Sequence, residues 1–207
     1  SNSNYDHIPE QAQWQLTPGA KLLHVCSNET IGGVQFKQFP DSTAPLVADM
    51  SSDILSRPID VDQFGLIYAG AQKNIGPAGL TVIIVRKDLC GQARNETPTF
   101  LDYAAQADAD SMSNTPPTYS WYLAGLVFQW AKAQGGLGAI ADHNEAKAKR
   151  LYDAIDSSNF YTAPVQPAVR STMNVPFTLA DAELDKAFLS SAEAVSYTHL
   201  RAHETTD

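Results

Sequence analysis

Cysteine is scarce in this 207-residue chain. Cys26 and Cys90 lie far apart and outside any CxxC or Cys/His spacing. A disulfide framework and a zinc site are therefore not expected, and a reducing compartment is the default. Positive charge is short as well: 14 Lys and Arg against 23 Asp and Glu leave a formal net charge of −9. A nucleic-acid binder needs a basic face to displace counterions from phosphates, and no Lys/Arg cluster occurs, which argues against nucleic acid as a partner. No apolar run approaches the ~18 residues of a membrane-spanning helix, so no membrane partner is expected. The opening Ser1-Asn2-Ser3-Asn4-Tyr5-Asp6 has neither the basic nor the apolar region of a secretory signal, and a cytoplasmic location is the expectation. Internal repeats are absent. What is present, 43% hydrophobic and 18% charged residues, is the composition of a globular chain and not of a disordered one. Its length suits one domain, or one and a piece of another.

Apolar runs alternate with turn signals along the first half. Leu22–Cys26, Leu46–Ala48, Leu66–Ala69 and Leu80–Val85 are short and largely uncharged, as strands buried on both faces of a helix-flanked sheet would be. Residues 98–118 read as loop, with Pro98, Pro116 and Pro117 among many Ser, Asn and Asp. Thr118 is placed to cap a helix through Trp121, Leu123, Leu126, Val127 and Trp130, ending near Gly135-Gly136. A second helix is expected from Leu137 to Ile155, with Ile140, Ala148, Leu151, Tyr152 and Ile155 facing inward. Beyond Ser157 the pattern changes: Met173–Leu179 alternates like a strand, and Asp181 is placed to cap a helix through Leu184, Phe188 and Leu189.

Candidate chemistry concentrates in Tyr68–Gly79. Lys73 is the only charged residue between Asp62 and Arg86, set among Gly70, Ala71, Gly76 and Gly79. An ammonium in apolar surroundings is costly without a partner. Desolvation lowers its pKa and frees the amine to attack a carbonyl. Small neighbours would let a planar ring approach the backbone. An exposed lysine on a strand-to-helix turn explains the same residues. Asp49 ends the run Leu46-Val47-Ala48, and in an open α/β sheet the carboxyl ends of strands face the ligand crevice. A carboxylate there can hold a pyridinium nitrogen protonated and make the ring an electron sink; a turn or capping aspartate is the alternative. Thr30 offers a hydroxyl at the same edge, or caps a turn. No Gly-Lys-Ser/Thr of a phosphate-binding loop occurs. His199 and His203 have i,i+4 spacing without a third ligand, and no metal is expected.

Together these segments carry a family likeness. From about Trp14 to Val195 the chain resembles the phosphoserine aminotransferases, pyridoxal-phosphate enzymes of class V and fold type I. The likeness is carried by Cys26-Ser27-Asn28-Glu29-Thr30-Ile31, Ala48-Asp49-Met50-Ser51-Ser52, Ser56-Arg57-Pro58-Ile59-Asp60-Val61, the run Ile67–Gly79 and Asn114-Thr115-Pro116-Pro117-Thr118. The resemblance implies pyridoxal 5'-phosphate as cofactor. Lys73 then matches the lysine that binds its aldehyde and shuttles the substrate proton, and Asp49 the aspartate paired with its ring nitrogen. Thr30 matches a contact near its ring hydroxyl, and Gln72 a contact to its phosphate. Asn114 and Thr115 match the pair that reaches the phosphate from the other subunit, so the family's site is completed across a homodimer. The implied reaction moves an amino group from L-glutamate to 3-phosphohydroxypyruvate, giving O-phospho-L-serine and 2-oxoglutarate. It serves serine biosynthesis, and a related phosphorylated substrate would serve pyridoxine biosynthesis. The alternatives are an inert fragment of such an enzyme or another class V aminotransferase.

The implied fold is α/β: part of a large domain with a mostly parallel sheet flanked by helices, plus the start of an α+β small domain. The expected division is 1–142 for the C-terminal part of the cofactor-binding domain, 143–195 for the beginning of the small domain, and 196–207 as a non-native tail of different composition. The family's upstream glycine loop for the phosphate, its ring-stacking tryptophan and its small-domain arginines find no match here. The expectation is a fragment truncated at both ends.

Overall fold

A computed structural model describes residues 5–195. The proposed tail and His199 and His203 lie outside the described residues. The chain divides into two compact units. One comprises Pro9–Asn28 and Phe36–Asn144; the other gathers residues 5–8, Glu29–Gln35 and the chain from Glu145 onward. The second unit thus recruits two short segments from the first 35 residues, which a single cut near residue 143 does not include.

The larger unit is built on four strands in the order β1-β2-β3-β4: β1 (Leu23–Cys26), β2 (Leu46–Asp49), β3 (Phe64–Gly70) and β4 (Thr81–Val85). The first three run parallel and β4 returns antiparallel to β3. The expected α/β architecture, a mostly parallel sheet flanked by helices, is what the chain adopts. Alternation along the strands decides the core. Val25, Ala48, Ile67 and Ala69 are buried, and they pack with Met50, Ile54, Ile75 and Ala124. Removing such a side chain from water contributes about 1.5–3 kcal/mol. The expectation that all four strands are buried on both faces does not hold for β4, whose Ile83 and Ile84 remain exposed. Among the described residues β4 has a neighbouring strand on one side only.

Helix α1 (Tyr103–Asp108) lies inside the stretch read as loop. Its signal is local: the Asp102 carboxylate accepts the Ala104 N–H at 3.0 Å, and Tyr-Ala-Ala-Gln-Ala-Asp carries good helix formers. Helix α2 (Thr118–Ala133) begins with Thr118 as its first helical residue. Pro117 occupies the cap position and offers no capping side chain, so the expected Thr118 cap is corrected. Gly135 and Gly136, both at positive φ, end it as expected. Helix α3 (Gly136–Asp156) follows, with Ala148, Tyr152 and Ile155 buried on one stripe. Leu151, expected inward, sits beside that stripe and is 56% exposed.

Among its described residues the second unit has two two-residue strands, β5 (Tyr161–Thr162) and β6 (Thr178–Leu179), paired antiparallel, with α3 from Glu145 onward and helix α4 (Asp185–Ala194). The strand expected over 173–179 is therefore confined to its last two residues. Ser171 Oγ accepts the Met173 and Asn174 amides, both at 3.0 Å, which starts a side-chain turn, and Pro176 has no N–H to donate. Asp181 caps a single short turn, Ala182–Leu184, ahead of α4. Rings replace sheet as the packing principle: Tyr161 meets Phe177 edge-on at 5.4 Å, and Phe177 meets Phe188 at 5.9 Å. Arg170 binds Asp156 through two nitrogens at 2.6 and 2.8 Å and lies 4.6 Å over the Tyr152 ring. The segment Glu29–Gln35 is stitched to this arginine's neighbourhood. Val34 bridges Arg170, Gln35 N donates to Val169 O at 2.8 Å, and Ser171 N donates to Gly33 O at 2.8 Å. Gly33 has φ +69, and a Cβ there would overlap the Pro176 ring, so only glycine fits.

Candidate active site

The carboxyl ends of β1, β2 and β3 meet at one edge of the larger unit, because the three strands run parallel. Cys26 pairs with Asp49, and Asp49 with Tyr68. Each strand then breaks into a polar turn, and the turns are tied to one another. Ser27 N donates to Asp49 O at 2.9 Å, and Met50 N to Tyr68 O at 2.8 Å. Ser27 Oγ donates to the Asp53 carboxylate, and Asn28 Nδ2 to Ser52 Oγ at 2.9 Å. Ser51 Oγ accepts the Gly70 amide at 3.0 Å, joining the turn after β2 to the end of β3. These groups are mostly buried, and buried polar groups without partners would each cost about 1–3 kcal/mol. The loops at this edge are thereby fixed, as positioned site loops are.

Asp49 is half-buried at the end of β2, and its Oδ1 accepts the Ser51 N–H at 2.8 Å. Lys73 follows β3 by three residues, in the turn that Ala71 and Ile75 anchor in the core. Its side chain is exposed. The apolar surroundings read from the sequence are thus those of its neighbours, with Ala71 and Ile75 buried while Gln72 and Lys73 point outward. The backbone explains this: Ile75 N and Gly76 N both donate to Ala71 O, at 3.0 and 2.9 Å, which closes a tight turn around the two outward residues. Gln72 folds back over Gly70, where a Cβ would meet its Oε1 at 2.6 Å. Asn74 Nδ2 donates to Ile54 O at 2.6 Å, and Ser120 Oγ to Ala78 O at 3.0 Å, so the turn after β2 and the start of α2 both brace the lysine loop.

The structure brings Asp49, Gln72 and Lys73 to the ends of two adjacent strands of one unit. Asn114 and Thr115 are exposed in the loop before α2 of the same unit. Thr30 is exposed in a turn of the second unit. Sequence reasoning counted Ser51, Ser52 and Asn74 among the segments of the likeness but gave them no role, and did not single out Asp53, although the run Asp49-Met50-Ser51-Ser52-Asp53 of short polar residues after a strand was a visible signal for the groups that hold these loops. It also passed over the stacked rings of His24 and Tyr68, which meet only through cross-strand register. A cavity of about 240 Å³ lined by Val61, Phe64, Ile67 and Lys87 lies at the opposite end of β3 from this edge. Among the described residues no group of three His, Cys, Asp or Glu is arranged to hold a metal. No helix among them is long and apolar enough to cross a membrane.

A carboxylate and an amine thus stand at the carboxyl ends of neighbouring parallel strands, the edge at which open α/β sheets generally bind ligands. Residues 1–198 match the model of the class-V aminotransferases, and the chain belongs to that family. It is 60% identical over 204 residues to the phosphoserine aminotransferase of Pseudomonas entomophila (strain L48), covering 97% of this chain and 56% of that protein. It is likewise 60% identical over 208 residues to that of Ectopseudomonas mendocina (strain ymp), covering 99% of this chain and 58% of the relative. Among solved structures, phosphoserine aminotransferase from Bacillus circulans subsp. alkalophilus superimposes with a TM-score of 0.93 at 47% identity, over 97% of this chain and 56% of that one. The pyridoxal-phosphate-bound enzyme from Trichomonas vaginalis gives 0.90 at 39% identity, over 96% and 57%. The chain therefore spans somewhat more than half the length of the relatives it matches.

Proposed function

We propose that the chain is the lysine-bearing part of a phosphoserine aminotransferase that moves an amino group between L-glutamate and 3-phosphohydroxypyruvate with pyridoxal 5'-phosphate. The observation that carries this reading is the joint placement of Asp49 and the Lys73 turn on adjacent strand ends, in a chain 60% identical to relatives of that name. The residues fit the cofactor by chemistry. Asp49 supplies an acceptor for a ring N–H, Lys73 a primary amine for an aldehyde, and Gln72 an amide donor for phosphate. When bound, the cofactor supplies an electron-withdrawing ring that stabilises negative charge at the substrate's Cα. Lys73 holds the aldehyde through Nζ and, when released, moves the Cα proton. Asp49 keeps the ring nitrogen protonated, with Ser51 N–H fixing the carboxylate's direction. Thr30 contacts the ring side, and residues 1–142 are the cofactor domain while 143–195 begin the small domain.

Asn114 and Thr115 serve the cofactor phosphate of a second copy, which makes the protein a homodimer. The exposed rings of α2, Tyr119, Tyr122 and Trp130, support a covered face there. The acidic chain without an apolar span supports a cytoplasmic enzyme of serine biosynthesis, with a second role in making pyridoxine. The test is to add pyridoxal phosphate, reduce with borohydride and map the fixed label by mass spectrometry. Label on Lys73 is expected; label on another lysine refutes the assignment. Turnover of L-glutamate with 3-phosphohydroxypyruvate tests the substrates. The chain's share of its relatives' length, 56–58%, favours a second reading in which these 207 residues hold cofactor without turnover. Label without turnover would select it.

A further inference from the structure

Gly70 is the last residue of β3, and its backbone has no positive φ that would call for glycine. Glycine weakens a strand, so its presence here asks for a reason. At Gly65, in the same strand, the reason is packing, since a Cβ there would meet Pro45 and Leu89. At Gly70 the three atoms nearest to an added Cβ all belong to one side chain. Gln72 Oε1, Nε2 and Cδ stand 2.6, 3.1 and 3.3 Å from that point, so the whole carboxamide lies over the bare Cα.

The main chain under that carboxamide is fixed. Gly70 N donates to Ser51 Oγ at 3.0 Å, Gly70 pairs in register with Thr81 of β4, and Ala71 N donates to Leu80 O at 2.9 Å. Gln72 is exposed, and its side chain turns about single bonds. An added Cβ would therefore leave the strand in place and drive the carboxamide back by roughly 1 Å, to ordinary van der Waals contact. We propose that Gly70 is a positioning residue for Gln72: its bare Cα seats the carboxamide, and Ser51 and β4 fix the seat, so that the amide is aimed before the cofactor phosphate arrives. This rests on the reading that Gln72 meets that phosphate. A long side chain gives up rotamer freedom when it binds, and a seat removes part of that cost beforehand. Hydrogen bonds weaken steeply with distance and angle, so a displacement of this size forfeits one.

The test measures equilibrium affinity for pyridoxal phosphate and for pyridoxal, which lacks the phosphate. The proteins are the parent chain, Gly70→Ala, Gln72→Ala and the double variant. Gly70→Ala is expected to unfold in denaturant no earlier than the parent, because the native backbone suits alanine; an earlier midpoint would mark a structural glycine and overturn the proposal. Its affinity for pyridoxal phosphate is expected to fall about tenfold, as the loss of one charge-assisted hydrogen bond would, with pyridoxal unaffected. In the Gln72→Ala background the same substitution is expected to change nothing, since no carboxamide is left to seat. Equal losses for both compounds would mean that Gly70 makes room for the ring, and would overturn the proposal. So would an unaltered affinity for pyridoxal phosphate, or a loss that persists without Gln72. Ser51→Ala supplies a second variant: it keeps the Ser51 N–H on Asp49 and removes only the acceptor of the Gly70 amide. A smaller loss, confined to pyridoxal phosphate and to proteins that retain Gln72, is expected, and a loss for pyridoxal as well counts against the seat. If Gln72→Ala leaves the preference for pyridoxal phosphate over pyridoxal intact, the phosphate reading of Gln72 fails and takes the proposal with it. A loss in Gln72→Ala without one in Gly70→Ala sinks the proposal alone.

Discussion

The two units of the chain solve the same problem of holding loops in place with different materials. In the larger unit, short aliphatic strands form the core, and serine, asparagine and aspartate side chains tie together the turns at their carboxyl ends. In the other, two-residue strands contribute little, and the work falls to aromatic rings and to Arg170, which touches Asp156, Tyr152 and the Val165 carbonyl. A sheet lets a site be built from residues that are neighbours only across strands. A ring-and-arginine cluster instead lets distant segments such as Glu29–Gln35 be gathered without a shared ladder. The difference predicts where each unit is fragile.

The largest effect is expected in the sheet. Ile67 is 1% exposed at the centre of β3, and Ile67→Ala should destabilise the larger unit by about 2–5 kcal/mol, measured by denaturant unfolding. A cost under 1 kcal/mol would mean that the sheet is not its core. Next comes the arginine. Arg170→Ala removes a bidentate ion pair and a cation–π contact, and should cost about 2 kcal/mol, read as faster amide exchange over Glu29–Gln35. Exchange unchanged there would break the claim that this cluster gathers the segment.

Tyr152 sharpens the same point through pH. Its buried phenol is pushed up to about 12, mainly by burial, from an ordinary 10.0. The folded state therefore favours the neutral phenol. That contribution is whole below pH 10 and is lost as pH rises toward 12, by at most roughly 2–3 kcal/mol. Comparing unfolding of the parent and Tyr152→Phe across that window should show a steeper fall for the parent; parallel curves would count against a buried phenol. The smallest effect is expected at Ile84 on β4, 39% exposed, where Ile84→Ala should cost less than about 1 kcal/mol.

Much of the larger unit was legible because its signals are local. The apolar runs ended at the end of β1 and one residue short of the ends of β2 and β3, and the solitary charge of Lys73 and the strand-terminal Asp49 marked the edge that carries them. The exposure of β4 was hidden, since an apolar run does not say whether anything covers it. The His24–Tyr68 pair was hidden because its residues meet through a register between strands 44 residues apart. Met173–Leu179 misled for a different reason: alternation was real, but Ser171 and Pro176 divert the backbone before pairing can start. The gathering of Glu29–Gln35 into the second unit left little sequence signal, as most of its bonds join main-chain atoms that any residue provides and the Gln35 side chain meets a partner 137 residues away.

That gathering has a consequence for the order in which the molecule is made. Gln35 Oε1 accepts the Thr172 amide across 137 residues of chain. On a ribosome adding about 5–20 residues per second, the early segment waits on the order of ten seconds for its partner to emerge. During that interval Gly33 has no proline ring to shelter against. The turn that carries Thr30 can close on its own Glu29–Val34 and Gly33–Glu29 bonds during that interval, and gains its second set of partners only once residues 169–176 have been made.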